Sequence, residues 1–177
     1  MAGSEEQILE VQQGVAMTLH ALGGHWREDG LQMHRSVYYE SLNLLGEENR
    51  HTLIEANNYA ATLRDQQHFE EARSVLRRMM PVAQRVIGTC YLTLVMKKVY
   101  AEALYLDDPA TLDDLREAVT MLEDAERTGR RVLGGAHPFV TDIETSLARS
   151  QAALRARDSE APPSPPPAPL YDEDELD

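Results

Sequence analysis

Tyr59-Ala60-Ala61-Thr62-Leu63, followed after a short polar stretch by His68-Phe69-Glu70-Glu71-Ala72, decides the fold. The first pattern is an apolar or aromatic residue, then Ala, two residues, and Leu. It recurs as Val15-Ala16-Met17-Thr18-Leu19 and Tyr100-Ala101-Glu102-Ala103-Leu104, with a worn copy at Leu147-Ala148-Arg149-Ser150-Gln151, at spacings of 44, 41 and 47 residues. The second pattern recurs as His25-Trp26-Arg27-Glu28 and Asp114-Leu115-Arg116-Glu117-Ala118. A third landmark closes each unit: Leu45-Gly46, Ile87-Gly88 and Leu133-Gly134. Three landmarks in constant order, at a period within about 20–50 residues, mark a repeat architecture.

Small alanines at these positions let one helix approach the next to roughly 8–10 Å. The large residue of each second pattern (Trp26, Phe69, Leu115) fills the gap between paired helices. Apolar residues then recur at helical spacing, as in Phe69, Ala72, Val75, Leu76 and Met79. β-Branched residues are scattered and no polar–apolar alternation is sustained, so strands are not expected. The pattern predicts seven helices, roughly 5–21, 25–43, 51–65, 69–86, 91–107, 110–131 and 138–157, with turns at Gly23-Gly24, Gln66-Gln67 and Gly134-Gly135. Thr52 and Thr141 stand near helix starts as N-cap candidates. Pro81 falls inside the fourth helix and is expected to kink or shorten it. Asp107-Asp108-Pro109 lengthens the third inter-helix turn by about five residues relative to the second.

These landmarks resemble the tetratricopeptide repeat, in the longer variety of about 42 residues found in kinesin light chains. The best match runs from Leu45-Gly46 through Asn57-Asn58-Tyr59-Ala60 to Phe69-Glu70-Glu71-Ala72. The family's His-Pro after Leu-Gly survives as His137-Pro138, and is replaced by Asn49-Arg50 in the second unit and Tyr91-Leu92 in the third. The resemblance covers about residues 8–157. It implies an all-α, right-handed solenoid of antiparallel helix pairs, about 3.5 repeats in a domain over 5–157, close to the three units such a stack needs. Kinesin light chains carry long N-terminal heptads; here the first repeat begins almost at Met1, so a motor subunit is not expected.

In proteins similar to this one, the first helix of each pair lines a concave groove that holds a partner peptide. In the second unit Asn57, Ala61 and Arg64 share a stripe at i, i+4 and i+7, with Asn58 beside it. Alignment of the units carries that stripe to Gln13 in the first, to Lys98, Glu102 and Tyr105 in the third, and to Arg149 in the fourth. An asparagine amide offers both donors and acceptors to a peptide backbone. Arg64 and Lys98 suit an acidic side chain or a carboxylate. The plainer role of Asn57-Asn58 is repeat consensus facing water, and that of the last helix's arginines is a solvating cap.

The net charge of −13 is unevenly spread. Asp158 to Asp177 holds seven acids and no Lys or Arg, which leaves −6 on the first 157 residues. Such a balance repels phosphate backbones and anionic membranes, so neither nucleic acid nor membrane is an expected partner. Six of the nine prolines fall in 162–169, and the tail 158–177 is expected to be disordered, Pro-rich and acidic. Three roles are open to it: SH3 or WW docking through its PxxP spacings, folding back onto Arg64, Lys98 and Arg149, or plain solubilisation. Cys90 is the single cysteine, so no internal disulfide can form, and the N-terminus lacks the basic flank and apolar run of a secretory signal. A cytoplasmic location is expected, with the nucleus left open.

Chemistry leaves no trace in the chain. His20 and His25 are five apart across Gly23-Gly24, which misses the i, i+4 geometry of a helical metal pair. Cys90 has no neighbouring base in sequence and reads as a small core-facing residue. No P-loop, dinucleotide fingerprint or nucleophile elbow occurs. The expected function is therefore an adaptor or scaffold that binds a protein or peptide, as a monomer, without cofactor or metal and without catalysis. The alternatives are a structural protein that self-associates and, after it, an enzyme with an unrecognised site.

Overall fold

The computed structural model describes residues 11–15, 18 and 26–160 of the 177-residue chain. Residues 11–15 and 18 belong to a first helix, α1. Then follow α2 (Trp26–Leu45), α3 (Arg50–Asp65), α4 (Phe69–Ile87), α5 (Tyr91–Tyr105), α6 (Leu112–Leu133) and α7 (Pro138–Glu160). No strand occurs among the described residues. The expected turn at Gly23-Gly24 and the tail beyond Glu160 lie outside them; α7 itself runs three residues past its expected end.

Each helix from α2 onward packs on its successor, α3 also packs on α5, and α5 on α7. Neither α2 nor α3 packs substantially on α6 or α7. A closed bundle would bring first and last helices together; a solenoid of helical hairpins does not. The helices α3, α5 and α7 therefore stand side by side in one layer.

The repeat landmarks account for this packing. Ala60 and Ala72 in one hairpin, and Ala101 and Ala118 in the next, are completely buried, as close helix approach requires. Leu53, Leu63, Leu76, Met79, Leu104, Leu122 and Ile143 complete a continuous core. The Leu-Gly landmark ends helices: Gly46, Gly88 and Gly134 follow α2, α4 and α6 with φ of +82°, +63° and +92°, a region that side chains with a Cβ disfavour. Gln67 takes the same role without glycine in the α3–α4 turn, at φ +64°.

Three local expectations need correction. Thr52 is not an N-cap: it is buried and its hydroxyl donates to the Ser41 carbonyl at 3.2 Å, pinning α3 to α2, while Asn49 caps α3 by accepting from the His51 N–H at 2.8 Å. Thr141 lies inside α7, and His137 Nδ1 accepts from the Phe139 N–H at 3.2 Å at its start. Cys90 is half-buried at the N-cap of α5, its N–H donating to Thr93 Oγ1 at 2.9 Å, so its place is a helix start and not the core. Asn49, Cys90 and His137 thus start α3, α5 and α7 with three capping chemistries, Cys90 standing one residue nearer its Leu/Ile-Gly landmark than the other two.

Pro81 does not shorten α4, which continues to Ile87. The proline lies on the exposed side, as does Arg77, whose carbonyl loses its donor and can turn to water. The long third turn is tied at both flanks: Asp107 pairs with Arg73 of α4 at 3.0 Å, and Arg157 of α7 donates to the Asp108 carbonyl at 3.1 Å. Thr111 and Asp114 then form a capping box that starts α6.

Candidate protein-binding face

The layer of odd-numbered helices is held together by one carboxylate. Glu102, on α5, is 7% exposed. Its Oε2 accepts from Arg64 Nη1 of α3, and its Oε1 accepts from Lys98 Nζ at 2.8 Å and from Ser146 Oγ of α7 at 2.7 Å. Lys98 also reaches Asp142 of α7 at 3.0 Å, and Arg64 Nε donates to Asp65 at 2.8 Å. Burial alone would raise the Glu102 pKa, but the Lys98 hydrogen bond and the two nearby cations outweigh it and hold the carboxyl below its ordinary range. Burial likewise works against Lys98, and Glu102 and Asp142 more than restore it, so its pKa lies above the usual lysine value.

Of the residues expected to line a groove, Arg64, Lys98 and Glu102 meet directly. Tyr105 is buried beside them, within the field of Glu102 and Arg149, and Arg149 is exposed on α7. Asn58 and Ala61 are half-buried on α3, as is Gln13 on α1. Asn57 is 8% exposed and turned into the stack, with no hydrogen-bond partner for its Oδ1 among the described residues. Ser146 and Asp142 were not anticipated. They sit four apart on α7 with Ser150; Ser146 and Ser150 are buried and Asp142 is exposed, and that i, i+4 run of small polar residues was the available signal.

The electrostatic outcome differs from the expectation. Arg64 and Lys98 are already answered by Glu102, Asp65 and Asp142, so this centre offers no surplus positive charge. Next to it, at the C-terminal ends of α3 and α5, a hollow of about 640 Å³ is lined by Arg64, Asp65, Gln67, Phe69, Leu106, Asp107 and Asp108. Leu106 is 47% exposed there. Asp65 there pairs with Arg64 and Asp107 with Arg73, so the exposed Asp108, beside the apolar Leu106 and Phe69, is the carboxylate that suits a segment carrying a cationic residue.

A second buried carboxyl lies on α3. Glu55 is fully buried, and neither oxygen has a hydrogen-bond partner among the described residues. His51 Nε2 stands 3.9 Å from its Oε1. Burial pushes the Glu55 pKa up to about 7, an effect that the Asn58 amide offsets only in part.

Residues 56–89, which span most of α3, all of α4 and the closing Gly88, match the family model of the tetratricopeptide repeat. The chain carries a tetratricopeptide repeat. Repeats of this family generally mediate protein–protein interaction and serve as scaffolds. No curated protein and no solved structure matches the chain. Among the described residues, no helix is long and apolar enough to cross a membrane.

Proposed function

We propose that this tetratricopeptide repeat protein is a non-enzymatic adaptor, of the kinesin-light-chain-like variety and cytoplasmic, that holds a partner peptide along the layer formed by α1, α3, α5 and α7. The observation that carries this reading is the Arg64–Glu102–Lys98–Ser146 cluster, which fixes three successive odd-numbered helices as one surface. Gln13, Asn57, Asn58, Ala61, Arg64, Lys98, Glu102, Tyr105 and Arg149 belong to it. The peptide presents a cationic side chain to Asp108 at the hollow, where Asp65 and Asp107 are already paired, and its backbone meets Asn58 of α3, since Asn57 is turned into the stack. A segment ordered on so small a surface binds weakly and exchanges quickly.

The test is a comparison of baits. Ala61→Arg with Asp108→Lys is expected to weaken a partner recovered by wild-type protein at least tenfold in calorimetry. Arg116→Glu, on the exposed outer side of α6, is expected to leave it unchanged. Equal affinity for all three proteins would refute this placement of the site.

Self-association has one observation in its favour. Leu44, Val86 and Val132 occupy the same repeat position, just before each Leu/Ile-Gly landmark, and are 52%, 39% and 44% exposed. Together with the half-exposed Tyr91 they set an aliphatic ladder on the edge where even helices hand over to odd ones. As an adaptor the protein is expected to give one mass in light scattering from low to high concentration. A mass that rises with concentration and falls back on Val132→Asp would favour the ladder as a self-association surface.

A further inference from the structure

On the opposite side of α5 a cavity of about 630 Å³ opens between α4 and α6, and the repeat itself shows what such a space holds. Counting back from Leu45-Gly46 and Ile87-Gly88, Arg35, Tyr38 and Tyr39 of α2 correspond to Arg77, Met80 and Pro81 of α4. Tyr59 corresponds to Tyr100, and Glu71 to Glu117, by the landmarks that define the units. The polar part is kept: Tyr59 donates to Glu71, and Tyr100 donates to Glu117 at 3.0 Å. The aromatic part is not. In the earlier unit Tyr38 and Tyr39 lie 5.8 and 6.4 Å from the Tyr59 ring, centroid to centroid. In the later unit Met80 and Pro81 stand in their place, and the trough is open, floored by Met96 and Met121.

We propose that this trough takes a tyrosine side chain in place of the missing pair, and that the tyrosine is Tyr171 of the chain's own C-terminal segment Leu170–Asp177. Methionine walls adapt to an inserted ring and make favourable sulfur–aromatic contacts. Charge selects this segment. α4 carries four arginines against two glutamates and α5 two lysines against one glutamate, whereas α2, α3, α6 and α7 are neutral or acidic. Arg77, Lys97 and Arg131 outnumber Glu117 and Asp124 around the trough; Lys97 already pairs with Asp124 at 2.6 Å, so Arg77 and Arg131 are the cations that meet Asp172-Glu173-Asp174-Glu175, which follows the tyrosine. The reach is sufficient. Arg157 holds the end of α7 beside Asp108, just before α6 begins. Ten residues separate Glu160 from Tyr171, and the eleven steps between them extend to at most about 40 Å. Met121 lies nine residues along α6 from Leu112, about 14 Å. Tethering raises the local concentration to the millimolar range, so a weak contact suffices.

The experiment is methyl spectroscopy of the full chain with labelled methionine. Tyr171→Ala is expected to move the Met80, Met96 and Met121 methyl signals, through loss of a ring current, and to leave Met33 and Met79 in place. In a Pro81→Tyr background, where the trough is refilled from α4, Tyr171→Ala is expected to move none of them. The wild-type shifts are expected to be independent of protein concentration. Unmoved trough methyls on Tyr171→Ala, or shifts that grow with concentration and so report a second copy, would each overturn the proposal.

Discussion

Replacement of Glu102 by alanine is expected to lower stability by about 3–5 kcal/mol, the cost of removing one partner from a buried ionic cluster. The loss is large because of what is left behind. Arg64 and Lys98 keep side-chain exposures of 18% and 12%, so neither can swing fully into water, and Ser146 loses its acceptor. The cluster also spans α3, α5 and α7, so the damage falls on the contacts between repeats. In a linear array these interface contacts supply much of the cooperativity. Chemical unfolding of Glu102→Ala should therefore show a lower midpoint and a broader transition than wild type. Adding Lys98→Met is expected to recover part of the loss, since it removes one of the stranded cations. A loss below about 1 kcal/mol would mean that the cluster behaves as an ordinary surface pair.

That cluster also shows where sequence reading stops. Helix positions and the repeat period follow from local rules, because Ala60, Phe69 and Gly88 each have a chemistry that only one place in a hairpin accepts. The stripe Arg64, Lys98, Glu102 was legible for the same reason. Its internal neutralisation was not, since the pairing joins residues 38 and 44 positions apart across separate units. Capping was misread at Thr52 because a threonine hydroxyl near a helix start serves equally as a cap or as a tie to the preceding helix, and at Thr141 because α7 starts three residues earlier, at Pro138. Pro81 does not end its helix, because the penalty of a helical proline depends on whether the freed carbonyl meets water. The trough beside it was invisible until Tyr38 and Tyr39 could be compared with Met80 and Pro81 in space.

Glu55→Gln is expected to stabilise the protein at pH 8 and to flatten its pH dependence. In the unfolded chain this carboxyl titrates near 4.5, and in the folded protein near 7. Below about pH 4.5 it is protonated in both states and costs nothing. Between the two values the folded state retains a proton that the unfolded state has released, so rising pH favours unfolding. Above 7 both states are ionised and the full cost is in place, on the order of 3 kcal/mol for a gap of that size. Glu102 contributes in the opposite sense: its pKa is depressed, so its stabilisation is lost as pH falls through the acid range. Glutamine keeps the shape of Glu55 without the charge, although its amide still enters a site lacking partners, so a gain of about 1–2 kcal/mol at pH 8 is the expected net. At pH 4.5, where the carboxyl is largely protonated, the amide's cost is no longer offset and the glutamine variant should be the less stable by about 1–2 kcal/mol. The difference between their urea midpoints across pH 5 to 8 isolates Glu55, because the rest of the chain is common to both. A constant difference would show that Glu55 is ionised throughout, and a less stable glutamine variant at pH 8 would show that the buried carboxylate has a compensating partner.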